Sequence, residues 1–166
     1  MKSTRLIYVV LLLALLTGNS VASETWVVRF DGVGTVKIGM SLSQLNAALQ
    51  RKSDPDDVGD CIYVESTKHP HLKFMIIDGR FSRIDVDGAG ISTSPGIQVG
   101  DSDSRVKQVC GSRVKITAHQ YIDSGHYLTI RSSDGKYGIR FETDQGKIVT
   151  FYAGTYQAIQ YVEGCQ

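Results

Sequence analysis

Two stretches of this chain repeat one order of parts, and that repetition constrains the fold more than any other feature. Asp31-Gly32-Val33-Gly34 leads into Val36-Lys37-Ile38-Gly39-Met40-Ser41; Asp87-Gly88-Ala89-Gly90 leads into Gly96-Ile97-Gln98-Val99-Gly100-Asp101-Ser102. Each is followed by a short amphipathic stretch. Leu42, Leu45, Ala48 and Leu49 share one helix face, and Val106, Val109 and Cys110 share the other, at the i, i+3, i+4 spacing of a buried stripe. Ser41 and Gln44 make an S-x-x-Q capping box. Ser102 is the matching cap, with Asp103 in the first turn favouring the helix dipole. Gly111 follows as a residue able to take φ > 0 beyond a helix end.

Strand patterns follow each helix, at residues 61–66, 73–78 and 80–86, and again at 114–121, 126–132, 137–143 and 147–153. Asp78-Gly79 is a strong two-residue hairpin signal, and Ser124-Gly125, Asp134-Gly135 and Gln145-Gly146 mark further turns. The expected fold is therefore α+β. Two tandem units, about 31–86 and 87–153, each place a short helix before antiparallel strands. They share a sheet with both helices on one face, because one such unit alone buries too little to fold securely. A tail, 154–166, completes the domain.

Alternation along strands assigns the faces. Ile62, Val64, Phe74, Ile76, Ile84 and Val86 point under the first helix; Leu128, Ile130, Ile139, Phe141, Val149 and Phe151 under the second. The opposite, open face then carries Tyr63, Glu65, Met75, Phe81, Arg83, Asp85, Tyr127, Arg131, Arg140, Glu142, Ile148 and Tyr152. Tyr, Arg and Met are enriched at protein interfaces. Tyr63, Met75, Phe81, Arg83, Tyr127, Arg131, Arg140, Glu142 and Tyr152 are thus the candidate binding residues. A covering by the N-terminal strand or by the tail is the competing reading of the same face.

The N-terminus reads as a secretory signal over 1–23. Lys2 and Arg5 precede an unbroken apolar run at 6–16, too short to span a bilayer, and Ser20-Val21-Ala22 fits a cleavage site. The mature single domain, 24–166, is expected in the periplasm as a soluble protein with no membrane insertion. The formal net charge is +1; loss of Lys2 and Arg5 brings it to about −1, which leaves no footprint for nucleic acid. Cys61, Cys110 and Cys165 allow three single bridges, and spacing alone does not choose among them. Cys110 falls at an apolar helix position, whereas Cys61 opens a strand and Cys165 ends the chain. The expected bridge is Cys61–Cys165, with Cys110 reduced and buried.

The Ile-Gly-Met-Ser and Val-Gly-Asp-Ser helix starts, each before an antiparallel sheet, resemble the tandem units of the β-lactamase-inhibitor protein and of small outer-membrane assembly lipoproteins. Phe74-Met75-Ile76-Ile77-Asp78-Gly79-Arg80, Gly125-His126-Tyr127-Leu128, Phe141-Glu142-Thr143-Asp144 and Tyr161-Val162-Glu163-Gly164-Cys165 resemble uncharacterised proteobacterial periplasmic proteins. That likeness implies a periplasmic location and a structural Cys165. It implies no activity. The chain lacks the lipid-attachment Cys of the assembly lipoproteins, which argues against their role.

Other motifs read as architecture. Asp101-Ser102-Asp103 lacks the Gly and terminal Glu of a calcium loop and reads as a helix cap. His69-Pro70-His71 has no third metal ligand at suitable spacing and reads as an exposed loop. The two Asp-Gly-x-Gly segments read as turns between units, since a phosphate loop needs a helix immediately after a strand. His119, Asp123 and His126 flank the Ser124-Gly125 turn, and a His–carboxylate pair there suits acid–base work, although no nucleophile accompanies it. The leading expectation is a non-catalytic binding or inhibitory module, without cofactor or metal, that recognises a protein partner in the envelope through the open face. The alternatives are an envelope assembly or stress accessory, and a small hydrolase or metal protein using His119, Asp123 and His126.

Overall fold

The computed structural model describes residues 26–52 and 59–165; the expected signal over 1–23 and its cleavage site lie outside them. Among the described residues no helix is long and apolar enough to cross a membrane. The described residues form two helices of eight residues and eleven strands. The helices are α1, Leu42–Leu49, and α2, Asp103–Cys110. Ser41 Oγ accepts from the Gln44 N–H at 3.3 Å while Gln44 Oε1 accepts from the Ser41 N–H at 2.9 Å, so the capping box closes as expected. Ser102 Oγ accepts from the Arg105 N–H at 3.2 Å, and Gly111 ends α2 with φ 60°.

The strands form two sheets. The smaller contains β1 (Val27–Arg29), β2 (Gly32–Val33), β3 (Val36–Lys37) and β7 (Ser92–Thr93), in the order β3-β2-β1-β7. The larger contains β4 (Cys61–Ser66), β5 (His69–Ile77), β6 (Arg80–Val86), β8 (Val114–Ala118), β9 (His126–Arg131), β10 (Tyr137–Asp144) and β11 (Lys147–Thr155). Its order is β4-β5-β6-β11-β10-β9-β8, and every pair in it is antiparallel.

The expectation of an α+β fold built from two helix-plus-strand units is corrected by this topology. The described residues are mostly β, and their helices are two-turn elements. The Asp31-Gly32 segment is not a turn between units. It bends β1 into β2, and β1 also pairs in parallel with β7, Val28 opposite Thr93. These short strands, some of two residues, make a second sheet that no periodicity announces. His69 and His71 begin β5 rather than occupying a loop.

One hydrophobic cluster joins the helices to both sheets. It includes Val28 and Val33 from the small sheet, Leu45 and Val106 from the helices, and Phe74, Ile84, Leu128 and Phe151 from the large sheet. Two bulges alter the expected faces, because each adds one residue to one strand and so reverses the side-chain alternation beyond it. In β5–β6, Met75 faces Arg83 but Ile76 faces Phe81. Phe81, expected on the open face, is thereby turned into the core, its ring centroid 5.5 Å from that of Phe74. In β10–β11, Glu142 faces Thr150 but Thr143 faces Ile148. Ile148 is buried and Val149 is exposed, the reverse of the expected pair.

The large sheet is closed at its centre by β6 against β11, where Gly154 faces Arg83. A Cβ on Gly154 would lie 2.2 Å from the carbonyl oxygen of Ser82. The Gly154→Ala variant is therefore expected to lose about 1–3 kcal/mol, the usual cost of overpacking, in urea denaturation. A variant as stable as the parent would show that β6 and β11 can part without cost.

Candidate functional site

The C-terminal tail covers the sheet face that the sequence leaves open. After β11 the chain makes a 3-10 turn, Ala158–Gln160, and runs back to Cys165, which is bonded to Cys61. Cys110 is free and buried, as expected. Beneath this tail Arg83 is only 3% exposed. Its Nη1 donates to the Ala158 carbonyl at 3.1 Å and to the Tyr161 carbonyl at 2.5 Å. Its Nε and Nη2 meet both oxygens of Asp85, at 2.6 and 2.7 Å, and Nη2 also donates to Tyr63 Oη at 2.6 Å.

Of the candidate binding residues, Met75, Phe81, Arg83, Tyr127 and Tyr152 are buried. Tyr63, Arg140 and Glu142 are half-buried, and Arg131 alone is exposed. Arg131 stacks its guanidinium on the Tyr156 ring. Arg140 bonds Gln160 of the tail as well as Thr129.

These groups form one polar row under the tail. Tyr63 Oη donates to Asp85 at 2.7 Å, Arg83 lies over the Tyr152 ring at 4.4 Å, and Tyr152 Oη donates to Glu142 at 2.8 Å. Burial first, and then the neighbouring carboxylate, push the Tyr63 and Tyr152 hydroxyls well above the ordinary value near 10. Burial opposes the Arg83 charge, and Asp85 outweighs it, so the guanidinium is held protonated. A tyrosine whose folded-state pKa is raised contributes its full stability below about pH 10 and loses it as pH rises, because the unfolded chain ionises first. Alkaline unfolding should therefore begin above about pH 10, and tyrosinate absorbance should rise together with loss of β-sheet circular dichroism. Ionisation of every tyrosine ahead of unfolding would contradict the buried row.

The structure separates the three candidate acid–base residues. His119 stacks on Tyr127 with centroids 4.4 Å apart and places Nε2 3.3 Å from Glu142 Oε2. Its Nδ1 accepts from the Tyr121 and Ile122 N–H groups, so the proton sits on Nε2 and is donated to Glu142. The His–carboxylate pair is thus His119–Glu142. Sequence reasoning put both in view but matched His119 to its near neighbours, because 23 positions separate the true partners. His126 precedes Tyr127 in β9 and so points to the other face of the sheet. Asp123 is exposed. No group of three or more His, Cys, Asp and Glu able to hold a metal occurs among the described residues.

A second feature had no signal in the sequence. Between the two sheets, near the end of α2, lies a cleft of about 520 Å3. Val28 of β1 and Thr93 of β7 form one wall; Ile130 of β9 and Ile139 and Phe141 of β10 form the other. Cys110 also lines it, and burial raises the Cys110 thiol pKa against a smaller opposite pull from Arg113. The walls are apolar because both sheets turn their core-facing residues toward this gap. Ser94 and Pro95 stand at its rim with Arg29, Asp31 and Arg113. The cleft falls within the size range of small-molecule sites. No protein family, no curated protein and no solved structure matches the chain, so the site is read from its own chemistry.

Proposed function

We propose that this protein is an exported, non-catalytic binding protein of the periplasm that takes a small apolar molecule between its two sheets. One observation carries the reading: a cleft of about 520 Å3 is walled by core-type side chains and has polar and charged groups only at its mouth, in a protein whose buried side-chain polar atoms are all satisfied among the described residues. Apolar clefts with a few polar groups at the mouth are the usual form of a ligand site. Export is supported by the signal-like N-terminus and by the disulfide, a bond that persists in oxidising compartments. Recognition of a protein through the covered face is the weaker alternative. A partner there would have to displace a tail held by Cys165 and by Arg83, whereas the cleft is accessible as it stands.

A neutral, environment-sensitive naphthylamine dye tests the proposal. It should bind one site per chain, brighten on binding and slow the alkylation of Cys110 by maleimide. The Ser94→Trp variant, which adds a large ring at an exposed rim position, should lower dye affinity about tenfold without moving the thermal midpoint. Dye that leaves Cys110 alkylation unchanged would place binding elsewhere and end this reading.

A further inference from the structure

We infer that the cleft selects an amphipathic anion, a free long-chain carboxylate whose apolar chain enters between the sheets and whose head group meets Arg113. The inference rests on the cleft being the ligand site and adds the chemistry of its mouth. Two cations, Arg29 and Arg113, and one anion, Asp31, line it, and Lys37 reaches Asp31 from outside the lining. Asp31 is shared by Lys37, 3.0 Å from its Oδ2, and by Arg29, 4.0 Å from its Oδ1. Arg29 also gives Nη2 to the Gly34 carbonyl at 2.8 Å. One carboxylate therefore answers two cations, and Arg113 has no hydrogen-bond or ion-pair partner among the described residues. The mouth carries an excess of positive charge beside an apolar wall.

The placement of Arg113 follows from the fold. Gly111, at φ 60°, stops α2 and starts the 3-10 turn Gly111–Arg113. That turn brings the Arg113 side chain to the rim while Cys110, three residues earlier, stays on the wall. A guanidinium fork matches a carboxylate with two parallel hydrogen bonds. Neither a neutral alcohol nor a cationic amphiphile of the same chain length makes that contact. Every added methylene should strengthen binding about fourfold until the cleft is full, the value expected for burying one CH2.

Competition against the bound dye decides it, with dodecanoate and dodecyltrimethylammonium below their micelle concentrations and dodecanol below its solubility limit. Dodecanoate should displace dye at least tenfold more effectively than dodecanol, and the trimethylammonium compound should be weakest. The Arg113→Glu variant should lose dodecanoate at least tenfold relative to dodecanol measured in the same variant. Equal potency of dodecanoate and dodecanol in the parent would overturn the anion preference and leave the cleft reading intact. So would dodecanoate binding unchanged in Arg113→Glu. Failure of the dye to bind at all would remove the cleft reading and this inference with it.

Discussion

Replacing Arg83 by methionine is expected to destabilise the protein by about 3–5 kcal/mol, the usual result of removing one partner from a buried charge pair. The loss has three parts. Asp85 would keep its charge beside a strand with no cation to meet it. The Ala158 and Tyr161 carbonyls, which accept from Nη1, would lose a donor in a place water reaches poorly. Tyr152 would lose the guanidinium lying over its ring. The Arg83→Lys variant keeps the charge but not the fork, and an ammonium cannot reach Asp85, Tyr63 and two tail carbonyls together, so it should recover only part of the loss. Urea unfolding supplies the numbers, and limited proteolysis supplies the location. In Arg83→Met the bonds around Ala158–Gln160 should become susceptible well before the rest of the chain. A change below about 1 kcal/mol, the range of surface ion pairs, would mean that the tail does not seal Arg83 from solvent.

The second large effect is expected at the disulfide. Cys61 and Cys165 stand 104 positions apart, and in the chain-entropy account a loop of that length is worth up to about 4.7 kcal/mol, with engineered and native cases often falling short. Reduction, or Cys165→Ser, should lower the urea midpoint and free the last residues, while Cys110→Ser should leave the bridge in place. Peptide mass mapping checks the pairing, and a bridge containing Cys110 would refute it. The two perturbations act on one segment, so they should not add. Once the bridge is broken, the tail frays and Arg83 has already lost its carbonyl acceptors. The Arg83→Met/Cys165→Ser double variant should accordingly fall less far than the two single losses together.

Much of this was legible in residue order, and the parts that were not share a physical cause. β4 and β6 run over the stretches that alternation marks, and the Asp78-Gly79 hairpin takes positive φ at both residues, 50° and 68°, as its composition demands. Both helix caps are local and closed as expected. The bulges are not local. Nothing in Phe81-Ser82-Arg83 or Ile148-Val149 states that one extra residue will be absorbed, because that depends on which strand lies opposite. The same holds for the tail. Tyr63, Arg83 and Tyr152 look like an interface because they are one, and the partner they meet is the end of their own chain; Tyr127 is covered instead by His119 and Gln120. The cleft is further removed still, since it is a gap between sheets and no single segment carries its pattern. Nothing in the residues around Arg113 sets it apart from the other cations of the chain.

The seam between β6 and β11 has a consequence for how the chain reaches this state. On one side of it β4, β5 and β6 follow each other in sequence; on the other, β8, β9, β10 and β11 do the same. Each set can zip locally. The seam itself joins Val86 to Phe151, so the sheet stays in two open-edged pieces until almost the whole chain has emerged. Loop closure of that kind slows folding. As the chain emerges the first set must wait with the β6 edge unpaired, a form that other chains can add to. The protein's exposure to aggregation is then set by the time between the release of β6 and the arrival of β11, and not by the stability of the finished fold.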